Sequence, residues 1–445
     1  MENLLIMGID TRPMVSSALK LNYKTISISY FKDLDFPEPF AERHVFNPEQ
    51  DNSYGSFEES YSPQSLLNLL NEFDIDLIDK VVLTTGISAE DFKGDFSKLK
   101  SRIRGNLKTS DVSDKFKFYE KARNKFNVPL TFRLGDVGEL KEIIKQYDNN
   151  SFILKPLNGS GGLGFLKLNN DSSNQLNNIE NEIENISLEN YMLQEYVEGE
   201  NVSSSVLSTK DEARNLVNTR LITANDLYSS GDFSYVGNIV PLDEKSFNAL
   251  NSEYSNKELE SSPHSKKYNK NDIESSNYKK ENSRLNSKKY TEEEINALNK
   301  EMKEVSEDLI KEFKLIGSNG VDFKIDTQKN DLKIIEVNPR LQGTYQLCEN
   351  ALGINMLEAH IKACEGELIE IPNPKQYSIK KIIYAPKEVK IENLKIKNLY
   401  DIPHPGEIIE KGNPIATIIC SNKDLNAAMN DLKTANQKVN QTLKI

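Results

Sequence analysis

The sequence predicts an α/β protein with a small Rossmann-like domain at residues 1–108, a larger mixed domain at 109–370 and a small β-rich domain at 371–445. Three observations predict this organisation. The chain opens with a strand-helix-strand pattern, which favours a parallel sheet. A glycine-rich segment and a hairpin with two acids follow between apolar strands. After Pro372, short apolar runs alternate with glycine and proline, as in small β-rich domains.

Composition and charge narrow the class of protein. Hydrophobic residues make up 37% and charged residues 28% of the chain, as in an ordinary globular protein. No apolar run approaches the roughly 18–20 residues of a membrane span, and the N-terminus lacks the features of a signal peptide. The three cysteines are too widely spaced for a zinc site or a disulfide framework. We therefore expect a cytoplasmic protein with no membrane partner, and the net charge of −12 argues against nucleic-acid binding.

The first domain is predicted from alternating strand and helix patterns. Buried strands are expected at 3–10, 24–31 and 79–87, with helical patterns at 12–21 and 63–73. The first turn, GIDTRP, lacks the GxGxxG pattern, so we assign no dinucleotide binding to it.

The rest of the chain combines helices, strands and one low-complexity stretch. The predicted strands include 191–197 and the hairpin 320–338. The first predicted helix begins at Ser113. The others cover 135–147, 291–313, 353–364 and roughly 423–440. Asp136 is expected to cap the second helix, and Thr291 with Glu294 forms a capping box for the third. Residues 243–290 are rich in Ser, Asn, Lys and Glu, so we predict a disordered insertion there.

The segment FILKPLNGSGGLGFLKL, from Phe152 to Leu168, places four glycines between two strand patterns. Glycine reaches backbone angles closed to other residues and loses entropy when it is ordered. Such a run is either a plain hairpin turn or a loop whose N–H groups face phosphate oxygens. Lys155, at the end of the first strand, could neutralise phosphate charge. Taken alone, the segment does not decide between these two interpretations.

The hairpin over 320–338 brings a second set of polar residues together. Asp322 and Glu336 are expected to pair opposite each other on one face. Two like carboxylates repel unless a cation lies between them. With Asn338 they form a hard-oxygen site suited to Mg²⁺, and Arg340 could hold a developing phosphoryl or acyl-phosphate charge. The alternative, a solvated hairpin with incidental charges, fits the apolar neighbours poorly.

Between these two elements lies LQEYVEGENVSS, a strand that ends, bends at Glu198 and Gly199, and restarts. A hinge of this kind can contact an adenine edge through its backbone. Glu198 or Glu200 could then accept a hydrogen bond from a ribose hydroxyl. Alone, this segment is a weak signal for nucleotide binding.

Taken in this order, the motifs resemble the ATP-grasp superfamily, and the layout is closest to its biotin carboxylase and carbamoyl-phosphate-synthetase branch. The resemblance spans nearly the whole chain, with 243–290 as an extra insertion. It implies an α/β (α+β) ATP-grasp fold: a Rossmann-like pre-ATP-grasp domain, a two-lobed ATP-grasp domain and a small β-rich C-terminal domain.

The resemblance also implies the site residues. The nucleotide phosphates would lie on two lysines under a flexible lid: Lys115 and Lys155, with Gly159, Ser160, Gly161, Gly162 and Gly164 as the lid. The adenine slot would be lined largely by backbone, and the ribose by an acid: Gln194, Glu195 and Val197, with Glu198 or Glu200. One or two Mg²⁺ ions (or Mn²⁺) would be held by Asp322, Glu336 and Asn338. Arg340 would stabilise the acyl-phosphate transition state. Relatives often carry glutamate where this chain has Asp322, and the shorter side chain could alter the metal spacing.

The implied activity is an ADP-forming ligase that activates a carboxylate as an acyl phosphate for attack by an amine or another nucleophile. YVGNIVPL (235–242) and DIPHPGEIIEKGNPIATII (401–419) further resemble predicted ATP-dependent carboligases of archaea and methylotrophs, some of them linked to pterin-dependent one-carbon metabolism. That suggests cofactor biosynthesis. Three alternatives stay open: a bicarbonate-activating carboxylase, a small-molecule kinase, and a non-catalytic ATP-binding regulatory module. The expected partners are small-molecule substrates, and a homodimer through the first domain would be typical of the family.

Overall fold

The computed structural model of the protein describes residues 1–37, 43–46, 61–157, 164–168, 183, 186–224, 234–253, 289–326 and 331–445. Within these ranges the strands form one eight-stranded sheet, two four-stranded sheets and one two-stranded sheet. Helices pack against the larger sheets, so the mixed α/β class predicted from the sequence is confirmed.

The N-terminal region is built on a parallel sheet with the order β3-β2-β1-β4. Its strands are β1 (Glu2–Gly8), β2 (Tyr23–Ser29), β3 (Arg43–Phe46) and β4 (Lys80–Leu83). Its helices are α1 (Arg12–Ala18) and α2 (Pro63–Asn68). Each helix has a proline in its first turn, where the missing N–H costs no hydrogen bond. The predicted strand-helix-strand opening is confirmed, and it puts the carboxyl ends of β1, β2 and β4 at one edge of the sheet.

A smaller antiparallel sheet with the order β5-β8-β6-β7 follows. Its strands are β5 (Thr131–Arg133), β6 (Phe152–Pro156), β7 (Leu166–Leu168) and β8 (Tyr191–Glu195). The associated helices are α3 (Ser110–Ser113), α4 (Lys115–Ala122) and α5 (Val137–Gln146). Asp136 caps α5 as predicted, since its carboxylate accepts a hydrogen bond from the Glu139 amide at 2.9 Å.

The eight-stranded sheet is antiparallel, with the order β13-β12-β9-β10-β11-β14-β18-β16. Its first five strands in the chain are β9 (Gly199–Ser208), β10 (Ala213–Thr223), β11 (Tyr235–Val240), β12 (Gly317–Asp326) and β13 (Asp331–Asn338). Its C-terminal strands are β14 (Tyr377–Tyr384), β16 (Leu399–Tyr400) and β18 (Pro414–Asn422), while β15 (Val389–Lys390) and β17 (Ile408–Ile409) pair separately. The C-terminal strands therefore continue the sheet of the middle domain, and one apolar cluster joins Ile239 of β11 to Ile379 and Ile418.

The helix at the start of the low-complexity stretch, α6 (Glu244–Glu253), was not predicted. Asp243 and Ser246 exchange hydrogen bonds at its start, with the Asp243 carboxylate 2.8 Å from the Ser246 amide. Phe247 is buried, and its ring centroid lies 4.5 Å from that of Tyr290. The prediction of disorder is therefore wrong for residues 243–253 and for Tyr290, because one aromatic anchor outweighs a polar average composition. The rest of the predicted insertion lies outside the described residues.

The remaining helices are α7 (Glu292–Glu312), α8 (Tyr345–Leu352), α9 (Met356–Cys364) and α10 (Leu425–Leu443). The capping box of Thr291 and Glu294 is confirmed. The sequence predicted a single helix at 353–364, but Gly353 ends α8 in a left-handed conformation, with φ of +70°, and Asn355 caps α9. None of the helices in the described ranges is long and apolar enough to cross a membrane.

Candidate nucleotide and metal site

Lys155 is the buried centre of the candidate nucleotide site. It lies on β6, next to Gln194 of β8, and its Nζ donates to Gln194 Oε1 at 2.6 Å. Gln194 in turn donates from Nε2 to Thr131 Oγ1 at 3.0 Å, and all three side chains are buried. This chain of hydrogen bonds fixes the position of the ammonium group. The sequence predicted Gln194 as part of an adenine slot, but its side chain faces the lysine.

The surroundings of Lys155 are strongly cationic. Burial, with the positive charges of Lys115 and Lys324, lowers the pKa of Lys155 to about 7, although Glu336 opposes the shift. Lys115 is the first residue of α4 and is buried, so the structure brings the two predicted phosphate lysines together. Lys324 on β12 was not predicted. A group of cations that destabilise one another is suited to a polyanion such as a triphosphate.

The glycine segment is described only at its end. Gly159, Ser160, Gly161 and Gly162 lie outside the described residues. Gly164 is exposed and has a φ of +74°, a left-handed conformation that favours glycine. Lys155 Nζ lies 5.0 Å from the ring centroid of Phe165, so the end of the segment returns to the lysine.

The predicted hinge has its first two amides already engaged. The N–H of Glu195 donates to the Leu130 carbonyl at 2.7 Å, and that of Tyr196 to the Ser151 carbonyl at 2.8 Å. The Glu195 carboxylate accepts from Lys333 Nζ at 2.9 Å in a buried ion pair, so its role here is to hold β8 against β13. The amides of Glu195 and Tyr196 are therefore already paired within the protein, while Val197, next in the chain, is buried.

The two candidate ribose ligands differ in environment. Glu198 is exposed, and its charge acts on Lys167. Glu200 forms an ion pair with Arg220, which is itself buried. Of the two carboxylates, Glu198 is the more accessible to a ligand.

The acidic hairpin has the predicted register. Asp322 pairs with Glu336 across β12 and β13, and a β-bulge follows directly after Asp322. Ser203 of β9 lies opposite Asp322 and donates to its Oδ1 at 2.6 Å. The turn at 327–330 lies outside the described residues. Thus the sheet holds both acids side by side, with a serine that orients one of them.

The electrostatics of this pair fit a cation. Burial, followed by the charge of Glu336, raises the pKa of Asp322 to about 7. Asn338 donates from Nδ2 to Asp322 Oδ2 at 2.9 Å, while its Oδ1 faces Arg340 at 3.4 Å. A bivalent cation would relieve the repulsion between the acids, and the oxygen donors are of the type that Mg²⁺ prefers. For Asn338 to act as a metal ligand, its amide would have to turn over.

Arg340 connects this pair to a cavity of about 230 Å³ between the first domain and the middle domain. Burial lowers the pKa of Arg340, and the charges of Glu336 and Asp322 oppose this shift. The polar part of the cavity lining comprises Arg340 with Thr84, Ser88, Asp91, Arg104, Asn106, Thr109, Ser113 and His360. A small polar substrate in this cavity would lie beside the guanidinium group.

Several residues of the site were missed by sequence reasoning: Thr131, Ser203, Lys324 and Lys333. Lys324 and Lys333 lie within the hairpin already singled out. The register that placed Asp322 opposite Glu336 could also have placed them. Thr131 and Ser203 lie on other strands, and no local pattern marks them.

Comparison with known protein families decides the assignment. The ATP-grasp domain family matches residues 112–259, and the family of the carbamoyl-phosphate synthase L chain ATP-binding domain matches residues 287–371. This chain belongs to the ATP-grasp superfamily. The first match of this ATP-grasp protein contains Lys155 and the hinge, and the second contains the acidic hairpin and Arg340.

Individual relatives agree with this assignment. An uncharacterized protein of Methanocaldococcus jannaschii is 28% identical over 424 residues, which cover 93% of this chain and 87% of the relative. The biotin carboxylase of Campylobacter jejuni, solved as a β,γ-ATP complex, is 15% identical to this chain, with a TM-score of 0.66. The structural match covers 98% of this chain and 91% of the biotin carboxylase chain. An L-amino acid ligase of Bacillus licheniformis is 14% identical with a TM-score of 0.65 and covers 98% and 97%. At these identities the two solved structures show that the ATP-grasp fold predicted from the sequence is correct.

Proposed function

We propose that the protein is an ATP- and Mg²⁺-dependent, ADP-forming ligase that activates a carboxylate as an acyl phosphate for attack by an amine or a related nucleophile. The observation that carries this proposal is the opposition of two charged groups. A buried cluster around Lys155 lies close enough to the Asp322 and Glu336 pair that the charge of Glu336 acts on the lysine. Phosphoryl transfer needs this combination, since positioning and charge neutralisation supply most of the rate enhancement.

The lysines are proposed to hold the nucleotide. Lys155 and Lys115 would neutralise phosphate oxygens, with Lys324 as a third cation beside them. Val197 and the carbonyls of the hinge would contact adenine, and Glu198 the ribose. The glycines at 159–164 would cover the phosphates.

The hairpin is proposed to hold the metal. Asp322 and Glu336 would bind one or two Mg²⁺ ions (or Mn²⁺), with Asn338 as a further ligand once its amide has turned. Mg²⁺ there would neutralise charge on the β- and γ-phosphates. Ser203 would keep the Asp322 carboxylate oriented both with and without the bound metal.

The cavity beside Arg340 is proposed as the site of the carboxylate substrate. The guanidinium group of Arg340 would hold the carboxylate by paired hydrogen bonds and stabilise negative charge as the acyl phosphate forms. The other polar lining groups are hydroxyls, an amide, His360, Arg104 and the Asp91 carboxylate, which accepts from the Ser88 amide and hydroxyl at 2.8 Å. Two arginines beside one engaged carboxylate suit a polar acid. A role in cofactor biosynthesis for one-carbon metabolism is supported only by the resemblance to carboligases of archaea and methylotrophs.

The test is the release of ADP and phosphate by the purified full chain with Mg·ATP, across a panel that crosses carboxylic acids, bicarbonate included, with amines. We expect turnover that needs one acid and one nucleophile together. Glu336→Gln should abolish it, while Glu293→Gln, which removes an exposed acid from α7, should not.

The other outcomes distinguish the alternatives. Turnover with bicarbonate and no organic acid would identify a carboxylase. Phosphorylation of a hydroxyl compound would identify a kinase. ATP binding without turnover across the panel would favour a regulatory module and would contradict the ligase proposal.

A further inference from the structure

A second group of acids lies at the carboxyl edge of the parallel sheet. Asp10 follows β1, Asp33 follows β2, and Asp401 follows β16. Each offers one carboxylate oxygen, and the three oxygens all lie within 4.8 Å of one another. None of these acids belongs to the nucleotide and metal site described above.

The cations near this cluster do not balance it. Arg12 donates from Nε to Asp401 Oδ1 at 2.8 Å, and its Nη2 lies 2.7 Å from the same oxygen. The Nε of Arg12 also lies 3.5 Å from Asp35 Oδ2. Lys380 is the second cation whose charge reaches the group. Among the residues that the structure describes, four carboxylates therefore face two cations in a poorly hydrated place.

Asp33 is the informative member of the cluster. Asp33 is only 6% exposed, yet its carboxylate makes no hydrogen bond or ion pair with any residue in the described ranges. Burial, followed by the charges of Asp10 and Asp401, raises its pKa well above the usual range. Asp10 shows the same strain: burial and Asp401 raise its pKa to about 6. A buried carboxylate normally has a partner, so its place in the cluster points to a ligand.

The cluster adjoins the cavity beside Arg340. Thr84 lines the cavity, and its hydroxyl donates to the Asp10 carbonyl at 2.9 Å. The next residue, Thr85, accepts a hydrogen bond from the Ile9 amide at 2.8 Å. The carboxyl end of β4 thus lies beside both the cavity and the acidic cluster, so the two are neighbours.

We propose that Asp10, Asp33 and Asp401 bind a protonated primary amine of a substrate. This inference rests on the proposed ligase function. It assigns one substrate of the ligase to the class of amines that carry a positive charge. An ammonium group has three donors at tetrahedral angles, so its acceptors stand roughly 4.5–4.7 Å apart at ordinary hydrogen-bond lengths. The three oxygens of the cluster lie within 4.8 Å of one another, which admits this spacing.

A bivalent metal ion fits the same cluster less well. Hard cations take six or more oxygen ligands. Arg12 already takes up an oxygen of Asp401, and the Arg12 amide takes Oδ1 of Asp10 at 2.9 Å. An ammonium group needs only three acceptors and carries the smaller charge, which is compatible with Arg12 and Lys380 nearby.

The experiment is calorimetric titration of the full chain with 1,4-diaminobutane and benzylamine, each compared with its neutral counterpart, 1,4-butanediol and benzyl alcohol. Ca²⁺ and Mg²⁺ are titrated separately. We expect the amines to bind and the alcohols not to bind. Asp33→Asn should weaken amine binding at least about tenfold, because it replaces a carboxyl group that can ionise against the ammonium group by a neutral amide. Asp95→Asn, which neutralises an exposed acid of the same domain, should leave it unchanged.

The comparison of amines with alcohols needs no variant, and Asp10→Asn serves as a second variant if Asp33→Asn folds poorly. Equal binding of amine and alcohol, or no binding of either amine, would overturn the inference. Ca²⁺ or Mg²⁺ binding that depends on Asp33 without amine binding would also overturn it, in favour of a metal site. ADP release is measured in parallel. Amine binding without turnover on any acid would support the amine site and count against the ligase. Turnover without amine binding at the cluster would support the ligase and overturn the amine site.

Discussion

At the residue scale, the proposed ATP site is defined by charged groups that the fold buries beside like charges. Lys155 is buried among other lysines, and Asp322 is placed opposite Glu336. Burial destabilises the charged form of each group, and the neighbouring opposite charges and hydrogen bonds offset this only in part. Such strain is common at functional sites, since it is relieved by binding.

The pH dependence of nucleotide binding should report on Lys155. Its pKa is about 7 in the free protein, and contact with phosphate should raise it. Below pH 7 the lysine is already charged, and above pH 7 binding must take up a proton. Affinity for Mg·ATP should therefore fall as pH rises above 7, by up to about tenfold per unit.

Lys155→Arg is the control for this titration, because arginine stays protonated and should lack this fall. Calorimetry in buffers of different ionisation enthalpy measures the proton uptake directly. Proton release above pH 7 would contradict the assignment of Lys155.

Replacing Asp322 by Asn should separate activity from stability. We expect ATP turnover to drop at least about 100-fold, because a proposed metal ligand is lost. The folded pKa of Asp322 lies above its unfolded value, so its charge destabilises the fold increasingly from about pH 4 to 7 and fully above. At pH 8 the variant should gain about 1–2 kcal/mol in the free energy of unfolding, measured by urea denaturation. A less stable, fully active variant would contradict both arguments.

At the element scale, the acidic hairpin shows what sequence can predict. Alternating apolar residues fixed the strands, and the turn set their register, so that Asp322 and Glu336 were correctly paired. The orientation of the Asn338 amide and the serine from β9 depend on neighbouring strands, which leave no local signal. For the same reason the sequence does not show that the Gln194 side chain faces Lys155, and the adenine contact expected largely through its backbone stays a prediction.

The missed helix α6 shows how a local signal is hidden. The residues that flank it dominate a composition average, but Asp243 and Ser246 form a cap and Phe247 is its anchor. Phe247→Ala should therefore destabilise the protein by about 3 kcal/mol, measured by urea denaturation. Lys245→Ala, on the exposed side of α6, should change the free energy of unfolding by less than about 0.5 kcal/mol. Equal effects of the two changes would refute the anchoring role.

At the scale of the whole molecule, the two flanks of the low-complexity stretch meet. Asn248 donates from Nδ2 to the Tyr290 carbonyl at 2.9 Å and accepts from the Tyr290 amide at 3.1 Å. A short linker can therefore replace the residues between Glu253 and Lys289. We predict that deletion of 254–288 leaves ATP turnover within about twofold and the melting temperature nearly unchanged, because the stretch is poor in core-forming residues. A deletion that also removes α6 is the matched comparison and should lose stability.

The architecture was largely predictable at this scale, because motif order alone indicated the ATP-grasp arrangement. The course of the C-terminal residues was not. Short apolar runs separated by glycine and proline indicate strands but not which strands pair. Strand β14 pairs with β11, although more than a hundred residues of chain separate them. Strand pairing over such separations is decided by packing of the folded protein, as in the shared cluster around Ile239.

That pairing has a practical consequence for anyone who isolates the catalytic part. A fragment that stops near residue 371 would leave β11 as a bare edge, with Ile239 and its apolar neighbours facing solvent. Open apolar edges recruit further strands from other molecules. Such a fragment should precipitate or form fibres rather than behave as a minimal enzyme, so the C-terminal strands act as a built-in solubility cover for the sheet that carries the acidic hairpin.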